Sequence, residues 1–204
     1  KTYFTVYHQG KKLGKMLSGA LGRHNVCNTL AAVAVGMELK MDFPTIANSL
    51  KAFTGVQRRF EILKQSESLV IVDDYGHHPA EIQATLSTAK EVWPDRRLVI
   101  IFQPHRYSRT KHLMESFFSS FNDADQLLLL DIYSAGEEAI EGIDSQRIAE
   151  GVKEFGHKGV EYIGSADSVI PHLQKILKPG DVVMTLGAGN IGELSHKLTS
   201  RFTD

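Results

Sequence analysis

The sequence predicts an α/β fold in which a mostly parallel, doubly wound sheet carries helices on both faces. From Phe60 onward, segments typical of strands alternate with segments typical of helices. Some of the strand segments, at 69–72, 98–102 and 127–130, are uninterrupted apolar runs rather than alternating ones. Strands that are buried on both faces have this pattern, and they belong to parallel sheets that helices cover on both sides.

The first 57 residues follow another pattern and are predicted to end a separate domain. Their elements are inferred from period-2 alternation and from apolar residues at helical spacing. We expect strands at 2–8 and 13–17, a turn at 9–12 between them, and helices at 25–39 and 44–52. The chain is therefore expected to divide into domains at 1–57 and 58–204.

The same criteria place the elements of the second domain. Strands are expected at 61–64, 69–73, 98–103, 126–131, 160–163 and 182–186. Helices are expected at 79–92, 111–121, 145–155, 166–176 and 191–202. In sheets of this kind, ligands bind in the loops beyond the carboxyl ends of the strands.

Composition excludes several classes of protein. The 204 residues are 42% apolar and 23% charged, which is the balance of a globular protein with a sizeable core. A net charge of -1 gives no bulk attraction to nucleic acid or to anionic membranes. Cys27 is the only cysteine, which excludes an internal disulfide and fits the reducing cytoplasm. The chain starts at Lys1 in a strand pattern, so we expect it to be cut from something longer.

Polar residues collect in loops that each follow a predicted strand directly. These loops are 73–79, 103–110, 131–138 and 186–192. They combine carboxylate, imidazole and guanidinium groups with glycine. Because the carboxyl ends of parallel strands lie at one edge of a sheet, we expect the loops to converge on one rim and form a ligand site.

Each of these residues also has a purely structural interpretation, and both stay open. Adjacent aspartates such as Asp73 and Asp74 often cap a following helix, and His77 and His78 are equally explained as solvated loop residues. The two imidazoles are weak metal-ligand candidates, because neighbouring loop histidines rarely chelate one ion together. The glycines at 187–189 resemble a phosphate-binding nest, but a tight turn explains them as well.

Several arginines and asparagines are further candidates for ligand binding. Arg106 and Arg109 lie just before the predicted helix at 111–121, and if they belong to a first helical turn they oppose the helix dipole, so an anion such as a ligand carboxylate should compensate. The alternative is that both arginines are surface charges without a ligand. Asn25 is either a helix N-cap or, together with Asn28, a reader of an adenine edge. The arginines at 58–59 suit a nucleotide phosphate or ribose, although a solvated pair is equally consistent.

Taken together, these segments resemble the Mur ligases of bacterial cell-wall synthesis. The strings that carry the resemblance are GRHNVCN at 22–28, FTGVQRRFE at 53–61, DDYGHHP at 73–79, FQPHRYSRT at 102–110 and GAGNI at 187–191. They occur in order over nearly the whole chain, so the resemblance is specific. The third and fourth strings point to the member of the family that adds alanine.

The resemblance implies an ATP-dependent ligase that joins L-alanine to UDP-N-acetylmuramate through an acyl phosphate. It implies a Rossmann-like C-terminal domain, preceded by the last strands and helices of a central ATPase domain. The nucleotide contacts that it implies are Asn25 and Asn28 to adenine, Asp74 to ribose and Arg59 near the hinge. The alanine-binding and catalytic residues that it implies are His77, His105, Arg106 and Arg109. ATP and Mg²⁺ are the implied cofactors, and no metal ligand is assigned to this chain.

Parts of such a ligase have no counterpart in the sequence. It contains neither the G-x-x-G-K-[ST] loop that cradles the phosphates nor a domain for the UDP-sugar. We therefore expect the missing domains of the same chain to be partners, closure between domains to assemble the site, and this chain alone to be inactive.

Other functions remain as alternatives. One is a paralogue that adds a preformed peptide to UDP-N-acetylmuramate, and another is a non-catalytic nucleotide-binding domain. A nicotinamide-dependent oxidoreductase would need G-x-G-x-x-G after the first strand, which is not found there. A metal-dependent hydrolase would rest on Asp73, Asp74, His77, His78 and His105.

Overall fold

The computed structural model of the chain describes residues 2–53 and 55–202. Thr54, which belongs to one of the strings quoted above, lies outside this part, as do Lys1, Thr203 and Asp204. The chain forms two compact units, Lys1–Gln57 and Arg58–Asp204, called here the N-terminal and the C-terminal unit. Each unit has its own hydrophobic core, as the next paragraphs describe.

The N-terminal unit is a two-stranded sheet with two helices. Its elements are β1 (Thr2–His8), β2 (Lys11–Ser18), α1 (Arg23–Glu38) and α2 (Phe43–Ala52). The two strands are antiparallel. The core consists of Val6, Met16, Val33 and Ile46, one residue from each element. Asp42 caps α2 by accepting a hydrogen bond from the backbone N–H of Thr45 at 2.9 Å.

The C-terminal unit alternates strands and helices. Its strands are β3 (Glu61–Gln65), β4 (Leu69–Asp74), β5 (Leu98–Phe102), β6 (Gln126–Leu130), β7 (Val160–Gly164) and β8 (Asp181–Leu186). Its helices are α3 (Pro79–Val92), α4 (Tyr107–Phe118), α5 (Ser145–Glu154), α6 (Val169–Ile176) and α7 (Ile191–Arg201).

These strands form one sheet in the order β3-β4-β8-β5-β6-β7. Only the pairing of β3 with β4 is antiparallel within this sheet, and the other pairings are parallel. The last strand, β8, thus lies between β4 and β5. Leu186 is in register with both Asp74 and Phe102, so the three strands end at one level. The loops that follow them are therefore brought to the same rim.

Helices cover both faces of this sheet, which confirms the predicted fold class. On one face, β4 and β5 residues such as Ile71 and Ile101 pack with α6 and α7 residues such as Leu173 and Leu198. Since successive strand residues point to opposite faces, Phe102 faces the other side. There its ring lies 5.5 Å from the ring of Phe117 in α4.

Some boundaries differ from the sequence predictions. Helix α4 begins at Tyr107, four residues before the predicted start, and ends at Phe118 rather than Phe121. The predicted helix at 166–176 is a short 3-10 turn followed by α6. Both differences lie at helix ends, where contacts distant in sequence decide which residue starts the helix. None of the described helices has both the length and the apolar character needed to cross a membrane.

Candidate active site

A polar cavity of about 560 Å³ opens at the rim of the C-terminal unit. The loops after β4, β5 and β8 contribute to it. The lining residues are Tyr75, His77, His105, Arg106, Ser108, Arg109, His112, Leu113 and Ala188. All four side chains that were predicted to bind the amino acid therefore line one cavity, although the contacts themselves stay a prediction.

Asp73 and Arg58 anchor the rim from beneath. The Asp73 side chain is 1% exposed and accepts hydrogen bonds from Nε of Arg58 at 2.9 Å and from Oγ1 of Thr185 at 2.7 Å. Arg58 also donates to the carbonyl oxygens of Gly187 at 2.6 Å and Gly189 at 3.2 Å. One guanidinium thus ties the start of the unit to the ends of β4 and β8. This geometry favours a structural role for Arg58.

The side chain of Asp74 is also buried and accepts hydrogen bonds from protein groups. Residue Asp74 is 3% exposed, and its carboxylate accepts hydrogen bonds from the backbone N–H groups of Phe60 and Gly76, both at 2.7 Å. Thr85 donates a third at 3.3 Å. Burial raises the pKa of Asp74 above its ordinary value, against the lowering effect of these hydrogen bonds. The predicted contact with ribose hydroxyls stays a prediction, while the observed partners give Asp74 a role in shaping the loop.

The glycine turn after β8 is explained by close packing. A Cβ atom added to Gly189 would lie 2.6 Å from Oε1 of Gln103 and 2.7 Å from the ring of Tyr133. Gly187 has φ +150, and Arg58 holds its carbonyl oxygen. Contacts distant in sequence therefore account for these glycines without a bound phosphate, and the tight-turn interpretation is the better supported of the two.

His77 follows β4 and presents a defined ring nitrogen to the cavity. Its Nδ1 lies 3.1 Å from the carbonyl oxygen of Tyr75 and 3.5 Å from Oε2 of Glu81. A carbonyl oxygen only accepts hydrogen bonds, so Nδ1 is the donor. The neutral ring then carries its lone pair on Nε2. His77 is thus able to accept a proton or a hydrogen bond from a cation in the cavity.

His105 follows β5 and has the opposite arrangement. Its Nδ1 lies 3.1 Å from Nη1 of Arg109, and a guanidinium only donates, so this nitrogen is the acceptor and Nε2 carries the hydrogen. Burial, followed by the positive charge of Arg109, lowers the pKa of His105 below its ordinary value of 6.5. The neutral ring stacks on Tyr133 at 5.4 Å. His105 therefore offers the cavity a hydrogen-bond donor.

Arg106 lies at the start of α4 in an unusual backbone conformation. Its φ is +73, which arginine rarely adopts, and its backbone N–H donates to the carbonyl oxygen of Tyr133 at 2.8 Å. Nη1 lies 3.5 Å from Oε1 of Glu137. Glu137 also accepts hydrogen bonds from the backbone N–H and the hydroxyl of Ser108, at 2.9 and 2.6 Å. The anion that was expected to offset these arginines is therefore supplied in part by the protein itself.

Arg59 lies beside Tyr75 rather than in the protein interior. Its side chain is 49% exposed, its guanidinium carbon lies 5.5 Å from the centre of the Tyr75 ring, and Nη1 is 3.6 Å from Oε1 of Glu81. These contacts are weak and solvated, so the group is free to engage an anionic ligand. The predicted nucleotide contact stays a prediction.

Asn25 and Asn28 lie in the N-terminal unit and are joined by a hydrogen bond. Nδ2 of Asn28 donates to Oδ1 of Asn25 at 3.2 Å, and Nδ2 of Asn25 donates to the carbonyl oxygen of Leu21 at 2.7 Å. Gly22 is the N-cap of α1, so the alternative in which Asn25 is the N-cap is wrong. Asn28 is exposed. Its contact with adenine stays a prediction.

The side chains of the metal-hydrolase alternative are not arranged as a metal site. In residues 2–53 and 55–202, no three or more His, Cys, Asp or Glu side chains are grouped so as to hold an ion. Asp73 and Asp74 direct their oxygens to protein donors, as described above. His78 caps α3, since its Nδ1 accepts a hydrogen bond from the backbone N–H of Ala80 at 3.3 Å.

The sequence interpretation did not single out several residues that shape this site. Tyr75 and Tyr133 contact the two imidazoles through their rings, and Glu81 and Glu137 contact arginines and backbone N–H groups. Glu81 had a local signal, because it is the third residue of a helix whose N-cap is His78, as in a capping box. Glu137 had none, because its partner Ser108 is 29 residues away.

The fold and the cavity together define a class of protein: an α/β domain with a doubly wound sheet that offers anion-binding and proton-accepting groups at the carboxyl ends of its strands. Residues 58–189 match the family described as "Mur ligase, glutamate ligase domain". The chain belongs to the Mur ligase family, as its motifs led us to expect.

Curated relatives extend this similarity to both units. The chain is 50% identical over 200 residues to a UDP-N-acetylmuramate–L-alanine ligase from Geotalea uraniireducens, covering 98% of the chain and 43% of that protein. It is 47% identical over 203 residues to the protein of the same name from Geobacter sulfurreducens, covering 100% of the chain and 44% of that protein. The chain thus spans less than half the length of these relatives.

Solved structures show the same fold. A UDP-N-acetylmuramate-alanine ligase from Thermotoga maritima matches with a TM-score of 0.80 and 29% identity, covering 98% of this chain and 42% of that one. A murein peptide ligase from Psychrobacter arcticus matches with a TM-score of 0.69 and 24% identity, over 99% of this chain and 42% of that one. The second similarity concerns the fold alone.

Proposed function

We propose that this chain is the C-terminal portion of an ATP-dependent ligase that joins L-alanine to UDP-N-acetylmuramate through an acyl phosphate. The curated relatives with this printed name support the proposal, because their similarity extends over both units. In the proposed reaction the lactyl carboxylate is activated by ATP, and the amine of alanine then displaces phosphate. We place the ligase in the cytoplasm, where ATP and such precursors occur.

The observation that carries the proposal is the opposite hydrogen-bonding character of His77 and His105, which line one cavity together with a third histidine, His112. Nε2 of His77 is an acceptor, whereas Nε2 of His105 is a donor beside Arg106 and Arg109. A free α-amino acid has matching groups, an ammonium that donates and a carboxylate that accepts. The guanidinium groups supply charge-assisted donors for the carboxylate. The ring centroids of His77 and His105 are 6.0 Å apart, so one small amino acid in the cavity can reach both rings.

We assign the contacts with the nucleotide to the remaining candidate residues. We propose that Asn28, supported by Asn25, contacts adenine and that Arg59 contacts the phosphates or ribose. Asp74 is the further candidate for the ribose hydroxyls. Mg²⁺ is the further cofactor that the proposed reaction implies, because this ion usually binds together with the phosphates of ATP.

Catalysis would then depend on positioning and on charge compensation rather than on a covalent nucleophile. The arginines would hold the carboxylate of alanine, and the imidazoles would orient its nitrogen. The missing ATPase and UDP-sugar domains would act as partners of this chain. We therefore propose that the chain alone does not hydrolyse ATP in the presence of alanine. Phosphate release that depends on alanine, measured with residues 1–204 only, would contradict this.

Calorimetric titration of the full-length ligase with L-alanine tests the proposal, in the presence of UDP-N-acetylmuramate and a non-hydrolysable ATP analogue. We expect saturable binding, and weaker binding of L-lactate, which lacks the ammonium, and of propan-2-amine, which lacks the carboxylate. Arg109→Ala should weaken alanine on the order of 100-fold, because it leaves the carboxylate without its charged partner. Arg201→Ala, which changes an exposed arginine of α7 outside the cavity, is the matched control.

Comparison of two substrates in the same assay separates the roles of the residues. Arg106→Ala should weaken alanine far more than the ATP analogue, whereas equal losses for both would contradict the assigned role. If alanine does not bind and a preformed peptide does, the paralogue that adds peptides is the correct function. If neither binds and the nucleotide does, the chain is part of a non-catalytic nucleotide-binding protein.

A further inference from the structure

Glu81, in the first turn of α3, makes an unusual number of contacts through one carboxylate. Its Oε2 accepts hydrogen bonds from the backbone N–H groups of His77 at 3.0 Å and His78 at 3.1 Å. The same oxygen lies 3.5 Å from Nδ1 of His77. Oε1 lies 3.6 Å from Nη1 of Arg59. Glu81 therefore fixes both the backbone and the surroundings of the His77 ring.

The carboxylate is negatively charged at neutral pH. Burial raises the pKa of Glu81, but hydrogen bonds from the backbone of His77 and His78, with the nearby charges of His77 and Arg59, outweigh this effect and hold the pKa below its ordinary value. A negative charge therefore lies beside Nδ1 of His77 at neutral pH.

The surroundings of His77 fix which ring nitrogen is free. Its Nδ1 faces the carbonyl oxygen of Tyr75 and the carboxylate of Glu81, and both are acceptors. The other charged or titratable groups around the ring are Arg59, on the far oxygen of Glu81, and those that line the same cavity, which are His105, Arg106, Arg109 and His112. With Nδ1–H directed at acceptors, Nε2 keeps its lone pair.

His105 is unable to take the same role. Its Nδ1 lone pair already accepts a hydrogen bond from Arg109, so its Nε2 carries a hydrogen. Of His77 and His105, the two histidines of the strand-end loops, His77 is thus the one whose free nitrogen accepts a proton while both rings are neutral.

We propose that Glu81 is a positioning residue that holds His77 as the acceptor of a proton from the ammonium of the incoming amino acid. This inference deepens the proposed ligase function and rests on it. An N–H bond of the ammonium breaks, the proton binds Nε2 of His77, and the electron pair stays on the amine nitrogen. That pair then attacks the carbonyl carbon of the acyl phosphate, and the electrons of its C=O bond move onto the oxygen. They return as phosphate leaves with the electrons of its bond to carbon, and the departing phosphate takes the second proton from the nitrogen, which leaves an amide.

Glu81 contributes most after the proton has moved. The imidazolium of His77 has its Nδ1–H directed at Tyr75 and at the carboxylate, which compensates the new positive charge. The contact with Arg59 links the same carboxylate to the residue proposed to meet the nucleotide. A glutamine at this position would keep the backbone hydrogen bonds and remove the charge.

Nuclear magnetic resonance of the histidine rings tests the positioning directly. Long-range ¹H–¹⁵N spectra of residues 1–204 should show His77 with the hydrogen on Nδ1 and His105 with the hydrogen on Nε2. In Glu81→Gln, the hydrogen should stay on Nδ1, because the carbonyl oxygen of Tyr75 still accepts it, but the ¹⁵N shift of Nδ1 should move because the neighbouring negative charge is lost, while the signals of His105 stay unchanged. Glu91→Gln, at an exposed position near the other end of α3, is the matched control and should change neither ring. A His77 ring with its hydrogen on Nε2 in the unchanged chain would overturn the proposal.

Kinetics of the full-length ligase separate positioning from simple support of the loop. Glu81→Gln should lower kcat by roughly 10- to 100-fold, a part of what general-base catalysis contributes, with KM for alanine changed by no more than about threefold. The loss should shrink at higher pH, where more of the alanine is already a free amine. Glu81→Asp, which keeps the charge, should recover part of kcat.

Two outcomes distinguish this inference from the function on which it rests. A wild-type ligase without alanine-dependent phosphate release would overturn the ligase function itself. A fully active wild type with an unchanged kcat in Glu81→Gln, or with a change in KM alone, would overturn only the role of Glu81.

Discussion

The loops after β4 and β5 are built from the same kinds of residue but offer opposite chemistry. Each carries one cavity histidine, His77 or His105, directly before a helix. In each, a glutamate accepts hydrogen bonds from backbone N–H groups at that helix start and lies within 3.6 Å of an arginine. These glutamates are Glu81 and Glu137. The negative charge suits the positive end of the helix dipole in both cases.

The difference lies in the partner of Nδ1. In the β4 loop that partner is a carbonyl oxygen, and in the β5 loop it is the guanidinium of Arg109. The first makes His77 an acceptor towards the cavity, and the second makes His105 a donor. The same side chain thus acquires opposite roles from a partner two residues before it in one loop and four residues after it in the other. A histidine motif therefore specifies a role only together with the partner of its second nitrogen.

The largest expected effect concerns the anchor of the β4 loop. Arg58→Met should lower the free energy of unfolding by about 3 kcal/mol, because it leaves the buried Asp73 carboxylate without its charged partner. Urea unfolding measures the change. Arg59→Met is the matched control, and since its pair with Glu81 is solvated it should change stability by less than about 1 kcal/mol. Equal losses of unfolding free energy in the two variants would contradict the assignment of Arg58 as a structural anchor and of Arg59 as a candidate for ligand contact.

Substitution of Arg109 removes the hydrogen-bond donor that makes His105 differ from His77. In Arg109→Met the pKa of His105 should rise, because one of the charges that hold it below its ordinary value is lost. Burial, the larger cause, persists, so the rise should be partial. A pH titration of the ring followed by nuclear magnetic resonance measures it. Arg147→Met, which lies outside the cavity, should leave the titration unchanged.

The pH dependence of stability sharpens the same contrast. Because the folded pKa of His105 is below its ordinary value of 6.5, the unfolded chain binds more protons over the interval between the two. The contribution of His105 is thus complete above pH 6.5 and is lost as the pH falls from there towards the folded pKa. Urea unfolding between about pH 7.5 and 5.5 should show a shallower loss in His105→Gln. His196→Gln, on the exposed face of α7, should keep the wild-type slope.

The smallest expected effect concerns the glutamate of the β5 loop. Glu137→Gln should speed hydrogen exchange at the backbone N–H of Ser108, because a neutral amide is a weaker acceptor at a helix start than a carboxylate. The pKa of Glu137 is lowered by the hydroxyl and backbone hydrogen bonds from Ser108, so the carboxylate is charged at neutral pH. Glu138→Gln, its neighbour, should leave the exchange rate unchanged. Faster exchange in both would point to a general effect of charge.

Much of the sheet was predictable because buried parallel strands have a local signature. The apolar runs of β4, β5 and β6 need no distant information, and Pro79 marks the start of α3. The start of α4 was missed. Its first turn depends on Glu137, which reaches Ser108 from a loop after β6, and no local pattern contains that contact.

The candidate site also has a part that could be predicted from the sequence and a part that could not. The motifs picked out His77, His105, Arg106 and Arg109, and the topology brings all four to one cavity because their strands end at one level. The different roles of Arg58 and Arg59 could not be predicted, since two adjacent arginines look alike in sequence. One of them is turned towards the buried Asp73 and the other towards solvent.

The sequence by itself determined the fold class, the family and the polar residues at the strand ends, because hydrophobic periodicity and motif spacing are local properties of the chain. Only the tertiary structure decided which ring nitrogen each histidine presents, which arginine is an anchor, and which glutamate serves which loop. The partners of Arg58 and Glu137 are distant in sequence and are brought together by the fold, whereas those of the histidines are two and four residues away and are selected by the orientation of side chains that the fold sets. A donor or an acceptor is selected by distance in space, and separation along the chain does not specify it.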